Sequence, residues 1–266
     1  EAEEGLMSGS LRVYRQRIRS TQSLKKIFRA MELIAASRIG KARESVVAAT
    51  PYTRAITRAL SAVATHADIE HTMTEKRTDT NRVAVLVVAA DRGMAGAYSA
   101  NVLREAERLL ERLAEEGKEV ELYAYGRRAI SYFTFRHREL AGTWSGASDA
   151  PTVELAHEIA DHGLKLFTAP VEEGGVAELH VVYTYFRNMV SQTPRVLRIL
   201  PIEVVEGVQE LQSGDLFPFY EFEPDPETVL DMLLPHYVRT IMYNTLLQAA
   251  ASELASRQRA MHTATE

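Results

Sequence analysis

Chemistry in this 266-residue chain would have to come from three short stretches. "AADRGMAGAYSAN" places a glycine-bearing turn between a strand-like run and a helix-like one, where α/β folds bind phosphates. The turn carries only Gly93 and Gly96, with neither Gly-x-Gly-x-x-Gly nor Gly-Lys-Ser/Thr, so a tight structural turn is the favoured reading. "HEIADH" has the look of a helical zinc motif, but His157 and His162 are five residues apart rather than four. At about 100° per residue they point about 140° apart around a helix and cannot share one metal. "GTWSG" sets Ser145 in a Gly-x-x-Ser-Gly frame, not the Gly-x-Ser-x-Gly of a nucleophile elbow, and no histidine is tied to it. No catalytic, cofactor-binding or metal-binding residue is assigned on this reading, and no cofactor is expected.

The elements that would have to position such groups fall into two kinds. From Leu11 to about residue 65, apolar residues recur at 24, 27, 28, 31, 34, 35, 39, 42, 46 and 49, spacings of three and four that one helix turns to one side. A helix that long reaches on the order of 80 Å, with Pro51 expected to kink or divide it. Residues 225–266 form a second long helix. Asp225 is its N-cap, Pro226 its first residue and Glu227 part of its first turn, and Pro235 is expected to kink it. Narrow apolar stripes on both, with Ala35, Ala36 and Ala42 in one and Ala249, Ala250 and Ala251 in the other, predict an antiparallel coiled coil of the two termini.

Between them the period changes. "RVAVLVVAADRG", "EVELYAYG" and "AELHVVYTYF" are strand-like, and "ANVLREAERLLERLAEEG" and "PTVELAHEIADHGLKLF" are helical, so residues 82–205 are expected to be a small Rossmann-like α/β domain. Polar linkers at about 66–81 and 206–224 are expected to separate it from the helices. The opening "EAEEGL" has neither the basic nor the apolar region of a secretory signal and is left out of this reading as an expression remnant or variable terminus.

Charge is the remaining lead. The chain's net charge is −5, yet residues 11–43 set Arg12, Arg15, Arg17, Arg19, Lys25, Lys26, Arg29, Arg38, Lys41 and Arg43 against Glu32 alone, a net +9 that leaves −14 elsewhere. The cysteine count of zero excludes disulfides and thiolate sites, and no apolar run approaches the roughly 20 residues of a membrane span. A nucleic-acid grip would want aromatics among the cations, and only Tyr14 and Phe28 are there. A membrane-surface helix would want bulky apolar residues where many are alanine. An acidic protein partner that encloses the helix as a sleeve encloses a rod fits best.

These residues carry a resemblance. "LRVYRQRIRSTQSLKKIFRAMELIAASRIGKA" followed by "PY", the turn "AADRGMAGAYSAN" and the late "YNTLLQAAASELASRQRAMHTAT" together resemble the gamma subunit of F-type ATP synthases, in the right order from Leu11 to Thr265. "FEPDPETVLDMLLPHYV" and "AELHVVYTYF" with "MVSQTP" are similar to a bacterial, actinobacterial-type member. The resemblance implies a non-catalytic central rotor shaft that couples proton-driven c-ring rotation to the conformational cycling of the beta-subunit catalytic sites. It implies an alpha3beta3 hexamer, the epsilon subunit and the c-ring of Fo as partners, a peripheral place at the cytoplasmic face of the cell membrane, no nucleic acid and no direct membrane insertion. Lys25, Lys26, Arg29 and Met31 match the N-terminal motif that faces the acidic levers of beta, and Arg257, Gln258 and Met261 match the C-terminal one. Met31→Lys is then expected to add an ionic grip and lower coupling between transport and synthesis. The family continues past this chain's last residues for several turns, and the cysteine insertion of its chloroplast members is absent. The runner-up is a small α/β nucleotide-binding protein with helical extensions, which would bind ATP in isolation.

Overall fold

The structure, a computed structural model, describes residues 2–66, 73–202, 223 and 225–266. Helix α1 runs Ala2–His66 without interruption, so residues 2–6 of the stretch set aside at the start continue the helix. Pro51 neither ends nor divides it. The carbonyl that Pro51 leaves without its amide belongs to Val47, which is exposed like the proline itself, so water can satisfy it. Buried and half-buried residues of α1 include a row at 28, 32, 35, 39, 42, 46, 49, 53, 56, 60 and 63, alternating four and three residues, with 31, 45, 50 and 59 half-buried beside it. That average of 3.5 is the seam of a left-handed coiled coil.

The partner on that seam is α5, Pro226–Thr265. Asp225 caps it as expected, accepting from the Thr228 amide at 2.9 Å. The helices run antiparallel. His262 meets Glu32 at one end, Ile39 packs with Leu254 further along, and Leu60 and Val63 share a cluster with Leu234 and Val238 near the other.

The α/β domain is a five-stranded sheet of β1 (Arg82–Val88), β2 (Glu119–Tyr125), β3 (Gly142–Trp144), β4 (Glu178–Phe186) and β5 (Gln192–Leu200), ordered β3-β2-β1-β4-β5. The first four are parallel, and β5 returns antiparallel on β4. Helices α2 (Tyr98–Glu115) and α3 (Arg127–Phe135) cover one face around Val83, Val85 and Val87. Helix α4 (Val153–Thr168) covers the other around Ala84, Leu86 and Val88, and α5 lies beside it. Alternate residues of β1 thus feed two cores, and an unbroken apolar strand is what that requires.

This arrangement corrects the expectation of a narrow stripe on the second helix. From Met242 to Ala255 nearly every residue of α5 is buried, because α1 packs on one side while β4 and α4 pack on the other. The run Ala249-Ala250-Ala251-Ser252 has side chains small enough for backbones to approach from both directions, and the Ser252 hydroxyl donates to the Thr184 carbonyl of β4 at 3.0 Å. The sheet and the two-helix shaft therefore share one core. The linker expected at 206–224 lies outside the described residues apart from Glu223, as do 67–72 of the other linker and 203–205 at the domain's end.

Candidate functional site

At its exposed end α1 has no partner helix among the described residues. Residues 11–27 are all exposed, among them Leu11, Val13, Tyr14, Ile18, Leu24 and Ile27, because α5 ends opposite about residue 29 of the seam. The cations of this stretch, Arg12, Arg15, Arg17, Arg19, Lys25 and Lys26, make no ion pair among the described residues. Arg29 is the first to find one, with Glu32 Oε2 at 2.7 Å, and Glu32 Oε1 faces His262 Nδ1 at 3.2 Å. Lys25, Lys26 and Arg29 border a depression with Gln22, His262 and Thr265 where the two helices last meet.

The other residues carried over by resemblance fall differently. Met31 is half-buried, and of the alanines expected at the coiled-coil contact Ala35 is packed into the seam while Ala36 is exposed. Arg257 and Met261 are buried within the chain, and Gln258 is half-buried with a side-chain oxygen that has no partner among the described residues. The structure brings Lys25, Lys26 and Arg29 together on the surface. It turns Arg257 inward.

What Arg257 meets there is an anchor between shaft and domain. Its Nη2 lies 2.7 Å from Glu253 Oε1 and 3.5 Å from the Gly93 carbonyl. Glu253 is 1% exposed along its side chain and Arg257 8%, so the pair is withdrawn from water. Burial pushes the Glu253 carboxyl above the usual range, and the Arg257 guanidinium opposes that shift. The Tyr98 hydroxyl donates to the Ala249 carbonyl at 3.2 Å, and burial raises its pKa as well. From α1, Arg38 pairs with Asp149 in the loop before α4.

The turn that receives Arg257 is itself held by Asp91. Its Oδ1 accepts from the Arg127 amide at 3.1 Å, and its Oδ2 accepts from the Gly146 and Ser148 amides at 2.8 and 3.0 Å. By accepting three backbone amides this carboxylate joins β1, α3 and the loop after β3. Gly126 makes that crossing feasible: at φ 92° it passes so close to Ala89 that a Cβ would sit 2.1 Å from the Ala89 carbonyl oxygen.

The remaining chemical leads resolve into packing. The His162 ring sits edge-on to Tyr123 at 5.1 Å and to Trp144 at 5.7 Å. No group of three metal-ligating side chains occurs among the described residues, and no described helix is long and apolar enough to cross a membrane.

A sequence profile of the ATP synthase family matches residues 10–266. The ATP synthase gamma chain of Beutenbergia cavernae is 66% identical over 98% of this chain and 87% of its own length. That of Kineococcus radiotolerans is 54% identical over 98% and 86%. This chain belongs to the ATP synthase gamma family. The fold agrees. The central stalk of the Tetrahymena thermophila mitochondrial ATP synthase matches at a TM-score of 0.66 and 19% identity over 90% of this chain and all of the other. A rotor chain of the Euglena gracilis mitochondrial enzyme matches at 0.60 and 17% over 96% and 91%. Within the gamma family fold, the anchor around Glu253 and Arg257 is what pattern reading missed. Its one signal was a Glu and an Arg four apart in an otherwise alanine-rich helix, which reads equally well as a solvent-facing pair.

Proposed function

We infer that this gamma chain is the non-catalytic central shaft of a bacterial F-type ATP synthase. It couples proton-driven rotation of a c-ring to the conformational cycle of catalytic sites on the beta subunits. The observation that carries the reading is the contrast within α1: a bare cationic end, continuous with a seam bonded through α5 to a rigid α/β domain. A partner that surrounds the bare end can push on it, and the anchor passes the load to the domain.

The partners that fit are an alpha3beta3 ring around the cationic end, with epsilon and the c-ring at the domain, peripheral to the cytoplasmic face of the cell membrane. Exposed Lys25, Lys26 and Arg29 suit direct contact with acidic levers. They attract at a distance and, being long and solvated, release without locking. Met31 and Gln258 are assigned to the same contact on the resemblance alone. Arg257 and Met261 act by holding α5 in place beneath it.

The test is assembly. Purified chain mixed with alpha and beta subunits is expected to give ATP hydrolysis that turns a bead fixed to the α/β domain. ATP hydrolysis by the chain alone, or failure to join the ring, overturns the reading. The nucleotide-binding alternative is weakened by Asp91, whose oxygens are already occupied by three backbone amides at the turn where a phosphate would have to sit.

A further inference from the structure

Burial leaves one titratable side chain that neither the shaft nor its anchor uses. His180 of β4 is 7% exposed and lies on the side of the strand that Val182 presents to α2. Its Nε2 lies 2.7 Å from Glu178 Oε2, and because a carboxylate accepts, Nε2 carries the proton of the neutral ring. Nδ1 is then a bare lone pair, sealed from water and without a partner among the described residues. Glu178 is itself shared, since its Oε1 lies 3.1 Å from Lys118 Nζ in the turn before β2. The other elements against His180 offer no anion. Arg198 of β5 stands opposite it in register, Arg112 approaches from α2, and β1 contributes Val85. Burial lowers the imidazole pKa, the Glu178 carboxylate opposes that shift, and Arg198 and Arg112 add to it.

The backbone is weakest at the same place. Strand β5 is the edge of the sheet and bonds to β4 alone. Its register shifts beside His180: Leu179 faces Leu200 and His180 faces Arg198, so Ile199 is an extra residue that interrupts the ladder. Beyond the interruption, Leu200 and Ile202 are buried in the cluster that also holds Leu60 and Val63 of α1 and Leu230 of α5. A change in this end of β5 therefore reaches both helices of the shaft.

We propose that His180 is an acid-sensitive latch on the edge strand: its neutral ring keeps β5 on β4 from Val196 to Leu200, and a proton taken up by the ring releases that stretch. Protonation in place puts an N–H without an acceptor at Nδ1 and a further positive charge beside Arg198 and Arg112, with one carboxylate already shared by Lys118. Opening of the strand returns the imidazolium to water. The folded ring has the lower pKa, so the latch is whole above the free value of about 6.5 and weakens as pH falls from there through the folded one. The inference does not rest on the proposed role as a shaft.

Amide hydrogen exchange of the full chain, read as protection factors from about pH 7.5 to about pH 5.5, tests this. Protection from Val196 to Leu200 is expected to fall several-fold, with about tenfold the ceiling for one proton taken up at about 6.5, while β1 and β2 change little. His180→Gln keeps a donor toward Glu178 and cannot titrate, so the fall is expected to disappear. Lys118→Met leaves the Glu178 carboxylate to the ring alone, and the fall is expected to shrink. Ring nitrogen resonances of the parent chain need no variant and are expected to show His180 protonated on Nε2 and titrating below about 6.5. A ring that titrates at or above that value, an equal fall in His180→Gln, an equal or deeper fall in Lys118→Met, or a fall no larger in β5 than in β1 would each overturn the proposal.

Discussion

One helix, α1, lives in two environments. From Ala35 to Val63 its seam is buried against α5, and α5 is buried in turn against the sheet. From Leu11 to Ile27 no described residue packs against the same helix, although its apolar residues keep coming. The two stretches do not differ in helical pattern. What separates them is neighbours: the first is structural because the chain itself fills its grooves, and the second is left available to other molecules. A shaft needs both, one part that cannot slip on its own domain and one that can be gripped and released.

The largest expected effect of breaking this contrast is at the anchor. Arg257→Ala strands the Glu253 carboxylate in a site without water, and removal of one partner of a buried pair costs about 3–5 kcal/mol. Replacing both, as Glu253→Gln with Arg257→Met, is expected to recover most of that loss in denaturant melts. The same double variant separates a role inside the chain from contact with a partner. If Arg257 acts only through a partner, the isolated chain's stability will not change.

Next come leucines from the two environments. Leu246→Ala opens a cavity where α5 meets α1 and the sheet and is expected to cost about 2–5 kcal/mol. Leu24, 47% exposed on the bare end, should move stability by no more than about 0.5 kcal/mol on the same change. A comparable cost at Leu24 would mean that the end is covered within the isolated chain.

The triple change Lys25→Gln, Lys26→Gln, Arg29→Gln leaves folding alone, and its effect appears in association. Binding to an alpha and beta assembly is expected to slow and lose part of its salt dependence, Arg12, Arg15, Arg17 and Arg19 retaining the rest, as stopped-flow mixing at two ionic strengths would show. The smallest effect is at Asp225. The Thr228 amide holds its carboxyl below the usual range, so its contribution is present above the unfolded pKa and is lost as pH falls through the lowered folded one. Asp225→Ala should lower the melting temperature at neutral pH and converge with the parent chain in acid.

Much of this was legible residue by residue. The cap at Asp225, the buried strand "VAVLVV" and the two terminal helices each announce themselves through local chemistry or period. Helix α3, strand β3 and the antiparallel β5 did not, for three reasons. Helix α3 is only nine residues long, β3 only three, and the alternation of β5 is blurred by Pro194 and two arginines. Pro51 misled because a proline's cost depends on whether the carbonyl it frees faces water. Arg257 misled because Glu and Arg four apart look alike on a wet face and in a dry one.

The sequence by itself determined that both ends of the chain are helices, that an α/β sheet lies between them, and that the cations gather near the start. Each is a property of neighbouring residues. Only the tertiary structure decided which cations stay free and which is sealed in a buried pair, because burial is set by what the remote β4, α4 and Asp91 turn bring against α5. Period tells a helix which side to hide, but not how many sides will be covered.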